Sequence, residues 1–366
     1  MPAEKRCLIV SPDYPPARGG IQTLVHRLAQ DFTRLHPRVV TSTPCPGREP
    51  PGPEVIRHGG ALQGGRSAIA LLNVATTREA IRFRPDVILS GHIAATPGAA
   101  LAGRMLRAPV VQYAHGRELT HRAWLTRLAL RSAQHTIAVS EHTRTVAIAH
   151  GADGDRLSVI PPGVDITPAS PARRDGPPTM LTVARLTESY KGHDVLFRAL
   201  PLIRARVPTA RWAVVGDGPL RPGLERAVAD AGLDHCVEFL GEIDDHERDR
   251  WFDRSHVFAM PSRVPASGAG EGFGIVYLEA GLHGLPVVAG AEGGALDAVV
   301  DGETGLLVDP RDHVALANAI ADLLNDRERA TRLGRTGAER ARRHAWPVIA
   351  HRVEDLLLAH SDGMVR

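Results

Sequence analysis
A glycine-rich segment, Gly268-Ala-Gly-Glu271-Gly-Phe-Gly-Ile-Val-Tyr-Leu-Glu279-Ala280, sets two carboxylates eight positions apart where a loop runs into a helix. The pattern predicts a helix from about Phe273, with Glu271 just before its first turn and Glu279 about two turns along. Free amides and the positive dipole end of that first turn favour phosphate. One carboxylate can then accept hydrogen bonds from sugar hydroxyls while the deeper one takes a ribose. The alternative for Glu279 is a satisfied buried acid beside the next strand, although glutamate is seldom buried unpaired.

A second set is cationic. Arg185 and Lys191 stand six positions apart in Val183-Ala-Arg185-Leu-Thr-Glu-Ser-Tyr-Lys191-Gly192-His193, a loop leaving a predicted strand. An arginine fork beside a lysine point charge suits a diphosphate, whose negative charge grows as it departs as a leaving group. Of 44 cations only Lys5 and Lys191 are lysine, which marks Lys191 as a residue kept for its compact ammonium. A solvated surface pair is the alternative. The loop Tyr14-Pro-Pro-Ala-Arg-Gly19-Gly20, ahead of a helix N-terminus, is a third place where an anion could approach the backbone. It lacks the G-x-G-x-x-G spacing of a dinucleotide site and reads equally as a tight turn. No nucleophile stands beside a base, and no Asp-x-Asp is found in the sheet loops, so neither covalent catalysis nor a metal at the diphosphate is expected.

These groups need scaffolds, and the chain has room for two. At 366 residues, 43% hydrophobic and 23% charged, it reads as globular, with two domains favoured and one possible only as a barrel. No apolar stretch approaches the roughly 18 residues of a membrane span. The opening MPAEKRCLIVSPDYPP lacks a signal-peptide core and cleavage site, so a cytoplasmic location is expected. Cys7, Cys45 and Cys236 are far apart and form no C-x-x-C, which predicts reduced, buried thiols rather than disulfides or a thiolate metal site. Residues 1–165 carry 20 Lys+Arg against 12 Asp+Glu, and the remainder 24 against 29. The basic half either faces an anionic partner or simply has an arginine-rich surface, since no dense basic run appears.

The apolar runs Cys7 to Val10, Asp86 to Leu89, Val110 to Tyr113 and Thr136 to Val139, each followed by helix-like sequence, predict a parallel sheet covered on both faces. Ile21, Leu24, Val25, Leu28, Phe32 and Leu35 fall at helical spacing after the first run. A Pro/Gly-rich stretch from Pro161 to Pro178 interrupts all periodicity and is read as the linker. The pattern restarts with strands over 179–183, 212–215, 237–240, 257–260, 287–288 and 306–308, and helices over 195–204, 224–231, 314–324 and 346–359. The expected organisation is an α/β chain with domains over 1–165 and 166–345 and a final helix over 346–366 returning to the first domain.

The ordered set Pro15-Pro16 with Gly19-Gly20, His115-Gly116-x-Glu118, Pro162-Gly163-Val164-Asp165, Arg185 with Lys191-Gly192, Val215-Gly216-Asp217-Gly218-Pro219 and Glu271-x7-Glu279 resembles the GT-B glycosyltransferases of family 4. The match runs through nearly the whole chain. Within that family YPPARGGIQ, YAHGRE and GEGFGIVYLEA are most similar to the phosphatidylinositol mannoside mannosyltransferases.

The resemblance implies two Rossmann-like domains facing each other across a cleft, the first holding the acceptor and the second most of a nucleotide-sugar donor. It also implies retention of anomeric configuration with neither metal nor cofactor. It brings Gly19 and Gly20 to the donor diphosphate, Arg185 and Lys191 to the leaving β-phosphate and Glu271 to the sugar hydroxyls. Phe273, Gly274 and Ile275 would offer amides to phosphate, Glu279 would hold the ribose, and Gly216 would belong to the donor-binding loops. His115 would sit beside the anomeric centre and the 6-hydroxyl; on its own, one of 18 histidines at a strand end reads equally as structural. The implied mechanism is front-face displacement, with the acceptor hydroxyl attacking from the side the diphosphate leaves and passing its proton to a departing phosphate oxygen.

GDP-mannose is the favoured donor and a UDP-hexose or UDP-N-acetylhexosamine the alternative, because the loops Gly216 to Leu220 and Phe239 to Ile243 carry no readable base signature. The acceptor is a phosphoinositide at an anionic membrane, where each basic residue adds about 1 kcal/mol, or a soluble cyclitol, aminocyclitol or polysaccharide end. No nucleic-acid partner is expected. A sugar-nucleotide epimerase shares the architecture, but E-x7-E favours transfer. A pyridoxal-dependent phosphorylase would need Lys191 as its Schiff base, which its place in the Arg…Lys loop disfavours. A non-catalytic sugar-nucleotide-binding protein would bind without turnover.

Overall fold
The computed structural model describes residues 4–47, 49, 51–58, 65–166, 174–268 and 270–363. They fall into two compact units, residues 1–163 with 344–366, and residues 164–343. Residues 167–173 of the Pro161 to Pro178 stretch lie outside the described residues.

In the first unit β1 (Lys5–Ser11), β2 (Leu35–Thr41), β3 (Glu54–Arg57), β4 (Val87–Ser90), β5 (Val110–Ala114), β6 (His135–Ala138) and β7 (Leu157–Val159) form one parallel sheet in the order β3-β2-β1-β4-β5-β6-β7. Leu8, Ile9 and Val10 of β1 and Val87 and Ile88 of β4 are fully buried, as expected of strands covered on both faces. The order reverses between β1 and β4, a topological switch point whose carboxyl-end crevice is where open α/β sheets take ligands.

The second unit repeats the plan with β8 (Thr179–Val183), β9 (Arg211–Val215), β10 (Val237–Gly241), β11 (Val257–Met260), β12 (Val287–Gly290) and β13 (Gly305–Val308) in the parallel order β10-β9-β8-β11-β12-β13. Its switch point lies between β8 and β11. The core packs Leu196, Leu200 and Ile203 of helix His193–Arg206 with Leu316 and Ile320 of helix His313–Asn325 against the sheet. Each such side chain contributes about 1.5–3 kcal/mol on leaving water. Trp212 is fully buried because its indole N–H donates to Thr182 Oγ1 at 3.0 Å.

Several elements differ from the sequence reading. Helix Gly20–Asp31 stops four residues short of Leu35, which instead opens β2. The reason lies in the last helix, Trp346–Ser361, which belongs to the first unit. Its Glu354, fully buried, accepts the backbone N–H groups of Thr33, Arg34 and Leu35 at 2.9, 2.7 and 2.9 Å and so fixes the turn between helix and strand. Burial works to raise the Glu354 pKa, but these amides and the Arg34 guanidinium outweigh it and hold the carboxyl below its ordinary range. Strands β2, β3 and β7 and helices Gly65–Phe83 and Arg327–Arg342 are additional to the expected set. Cys7 and Cys236 are buried, whereas Cys45 is only half-buried. No helix among the described residues is long and apolar enough to cross a membrane.

Candidate functional site at the sheet switch points
In the second unit the segment after β8 carries Arg185 and Lys191, and the segment after β11 leads to Glu271. Arg185 is exposed and has no hydrogen-bond or ion-pair partner among the described residues. Lys191 ends the 3-10 turn Ser189–Lys191, and its ammonium donates to the Glu271 carboxylate, both side chains being 14% exposed. Burial works to lower the Lys191 pKa, but Glu271, backed by Tyr190 and Glu188, leaves it above the ordinary lysine value. Lys191 is therefore a fixed cation. Gly216 has φ +124°, and a Cβ there would fall 2.1 Å from the Ala184 carbonyl, so only glycine lets the loop after β9 lie against the root of the Arg185 loop.

The helix after Glu271 is Ile275–Leu282, capped by Gly274 at φ +88° without a side-chain cap; a Cβ there would meet the Tyr277 ring at 2.4 Å. The Ile275 and Val276 amides have no hydrogen-bond partner among the described residues and stay available to an anion, while that of Tyr277 donates to the Gly274 carbonyl at 3.0 Å. Tyr277 anchors the helix to the end of β11: its hydroxyl donates to the Met260 carbonyl and accepts from buried Ser262, each at 2.8 Å. Because the helix starts at Ile275 rather than Phe273, Glu279 sits on its second turn, and Phe273 is buried just ahead of the cap. Glu279 is half-buried, with no hydrogen-bond or ion-pair partner for its carboxylate among the described residues. Burial pushes its pKa up, Arg248 opposes this, and Asp249, Asp245 and Asp165 add to the rise. It is thus not the satisfied buried acid of the alternative reading.

Next to Lys191, His193 is 5% exposed, and both ring nitrogens are sealed without a partner. Burial, and then the Lys191 charge, push its pKa from 6.5 down to about 4, against Asp194. On unfolding this ring takes up a proton at a pH where the folded chain does not, so its contribution to stability is complete above about pH 6.5 and is lost as pH falls towards 4. The loss amounts to up to about 3 kcal/mol. Melting temperature measured between pH 7 and 4 is expected to fall more steeply for the wild type than for His193→Leu; parallel curves would contradict the assignment.

In the first unit Gly19 caps helix Gly20–Asp31 and accepts the Thr23 amide at 3.0 Å. The loop before it is tied down by Tyr14, whose hydroxyl pairs with His26 at 3.0 Å, and by Arg57, which donates to the Pro15 carbonyl at 2.8 Å. His115 follows β5, stacks on Tyr113 with centroids 5.4 Å apart, and donates Nε2–H to the Gly91 carbonyl at 2.8 Å, which leaves Nδ1 as an acceptor. The His115 amide is held by Glu118 Oε1 at 2.6 Å.

Within the second unit the structure joins Lys191 to Glu271, sets Gly216 beside the Arg185 loop and places Gly274 against Glu271. Glu279 faces a different set, Arg248 and its acidic neighbours. Sequence reasoning assigned no role to Tyr277, His92 or Glu118, although Glu118 stands in the quoted His115 motif and His92 follows a predicted strand. The sequence does contain Asp153-Gly-Asp155, but it lies in the turn entering β7, where Asp153 caps the Asp155 amide at 3.1 Å. Among the described residues no cluster of three or more His, Cys, Asp or Glu side chains is arranged to hold a metal ion.

Two family descriptions match the chain: Glycosyltransferase Family 4 over residues 18–167 and Glycosyl transferases group 1 over residues 164–340. The GDP-mannose-dependent alpha-(1-6)-phosphatidylinositol monomannoside mannosyltransferase of Mycolicibacterium smegmatis is 35% identical over 355 residues, covering 90% of this chain and 92% of that one. The GDP-mannose-dependent monoacylated alpha-(1-6)-phosphatidylinositol monomannoside mannosyltransferase of Corynebacterium glutamicum is 30% identical, covering 98% and 99%. Among solved structures, sucrose-phosphate synthase from Thermosynechococcus elongatus superposes with a TM-score of 0.83 at 24% identity, covering 98% of this chain and 100% of that one.

Proposed function
The chain belongs to the family 4 glycosyltransferases, and from that premise we propose that it transfers mannose from GDP-mannose to a hydroxyl of a phosphatidylinositol-type lipid, with retention of configuration and without a metal. The observation that carries this reading is the Lys191–Glu271 pair at the second switch point, ahead of a helix whose Ile275 and Val276 amides have no partner among the described residues. A cation, a carboxylate and open amides in one place match the three parts of a nucleotide-sugar: leaving phosphate, sugar hydroxyls and the remaining phosphate oxygens. The names of the relatives that align over most of the chain give GDP-mannose as donor and a phosphatidylinositol monomannoside as acceptor, which supports the donor and the class of acceptor lipid proposed here.

On this reading donor binding exchanges the Lys191–Glu271 contact for two others, ammonium to β-phosphate and carboxylate to sugar hydroxyl. The acceptor oxygen forms its bond to the anomeric carbon on the face from which the bond to the β-phosphate oxygen breaks. The acceptor proton passes to that phosphate oxygen, and GDP leaves. Arg185 and Lys191 stabilise the charge that grows on the diphosphate, the role a divalent ion would otherwise fill, and Glu279 takes the ribose. Gly19 and Gly20 let the diphosphate approach the backbone, and His115 contacts the sugar.

A lipid acceptor is supported by the surface of the first unit. Helices Gly65–Phe83 and Thr96–Leu106 expose Leu71, Val74, Ile81, Leu101 and Met105, and their sole acid, Glu79, is buried against Arg82. Apolar side chains with arginines and no exposed acid suit peripheral docking on an anionic bilayer, so we place the enzyme on the inner membrane face. The test is a transfer assay with GDP-mannose and anionic vesicles containing either phosphatidylinositol or phosphatidylinositol monomannoside, run in EDTA. The expected result is an α-linked mannosyl lipid at full rate. A β-linked product, or a rate restored only by Mg2+, would contradict the mechanism.

A further inference from the structure
At the first switch point the joints after β1, β4 and β5 contribute Asp13, His92 and the pair His115 and Glu118. Glu118 is 9% exposed, and it holds the His115 amide with Oε1 while Oε2 is sealed from solvent with no hydrogen-bond partner among the described residues. Leaving a buried acceptor unpaired costs about 1–3 kcal/mol, and more for a charged group, so native structures keep few of them. Glu118 Oε2 is thus a buried acceptor with unused hydrogen-bonding capacity at the switch point.

The neighbours define which chemistry can pair with it. His92 Nδ1 accepts the Ala94 amide at 3.0 Å, so the neutral ring carries its proton on Nε2. Burial keeps that ring neutral against the pull of Glu118 and Asp13, with His115 acting in the same sense as burial. Asp13 uses Oδ1 on the Gln22 amide at 3.2 Å, and His115 presents Nδ1 as an acceptor. The joints thus offer several acceptors and one donor, with two carboxylates among them. A phosphate would be repelled here. Adjacent ring hydroxyls, each both donor and acceptor, fit.

We propose that Glu118 is both a positioning and an acceptor-recognition residue: Oε1 fixes the main chain of His115, and Oε2 accepts a hydrogen bond from a ring hydroxyl of the cyclitol acceptor. This rests on the transferase reading above for the identity of the acceptor. Free inositol and the inositol headgroup of a lipid share the chemistry.

The test uses the full chain and Glu118→Gln, which keeps a carbonyl oxygen for the His115 amide and places an NH2 where Oε2 stood. The KM for acceptor is expected to rise about tenfold, with a far smaller change in GDP affinity. Glu118→Ala, which also releases His115, is expected to lower kcat as well. An unchanged acceptor KM in Glu118→Gln, or an equal loss in GDP affinity, overturns the proposal. Running phosphatidylinositol vesicles and free myo-inositol in parallel identifies which source is used. Titration of myo-inositol without donor separates this proposal from the transferase reading: wild-type binding that Glu118→Gln weakens about tenfold sustains the subsite even if no mannose is transferred, and equal binding by both, or no wild-type binding of either inositol form, overturns it.

Discussion
Replacing Arg185 or Lys191 by alanine is expected to lower kcat by 10²- to 10³-fold, the order of magnitude lost when one preorganised donor to a developing anion is removed. The affinity for GDP should fall far less, because the charge these residues meet grows only as the sugar–phosphate bond breaks. The two variants should differ in stability. Arg185 is exposed and has no partner among the described residues, so its removal leaves none of them uncompensated. Lys191 is the ion-pair partner of Glu271, and without it that carboxylate stays 14% exposed and unpaired. Lys191→Ala should therefore melt earlier than the wild type, and Arg185→Ala should not. Steady-state kinetics, GDP titration and thermal melts on the same preparations check all three statements. Wild-type turnover in either variant would remove the diphosphate assignment.

Glu354→Ala is expected to cost about 3–5 kcal/mol of folding stability, as when one partner of a buried charge network is removed. Three backbone amides would lose their acceptor together, and helix Trp346–Ser361 would lose its main polar tie to the turn at Thr33 to Leu35. Glu354→Gln keeps one carbonyl oxygen and should lie between the two. Urea unfolding monitored by fluorescence checks this. A loss below about 1 kcal/mol, the range of an exposed ion pair, would mean that the carboxylate does not hold the turn.

Much of the fold could be read from residue types, because central strands of parallel sheets are unbroken apolar runs. β4, β11 and β12 and the end of β1 are of that kind, and β5, β6, β8 and β9 come close to it, whereas β10 and β13 are the edges of the second sheet and β10 carries Glu238. β2 was not legible: His36-Pro37-Arg38 interrupts its run, and its neighbour pairing, Cys7 opposite Pro37, exists only in the folded sheet. Helix Arg327–Arg342 buries Leu333, Gly334, Gly337, Ala338 and Ala341, a stripe at helical spacing that the sequence reading passed over because only Leu333 is large. That face nonetheless packs on helix Ile275–Leu282, where a Cβ on Gly281 would come 3.0 Å from the Gly337 carbonyl. The end of helix Gly20–Asp31 was misplaced because its stop signal lies more than 300 residues away in Glu354.

The candidate site shows the same division. Cation and carboxylate chemistry was legible from spacing, but the direct Lys191–Glu271 contact joins residues 80 positions apart. The free oxygen of Glu118 became visible only once burial and hydrogen bonds were known. His193 lies two residues beyond a residue already singled out, yet nothing in its spacing marks a sealed, unpartnered ring.

The most direct measurement of the central assignment is calorimetric titration of the full chain with GDP, UDP and ADP in EDTA, followed by GDP-mannose. Micromolar binding of GDP alone, and of GDP-mannose more tightly than GDP through Glu271, is the predicted result. Preference for UDP, or nucleotide binding that appears only on adding a divalent metal, would contradict it.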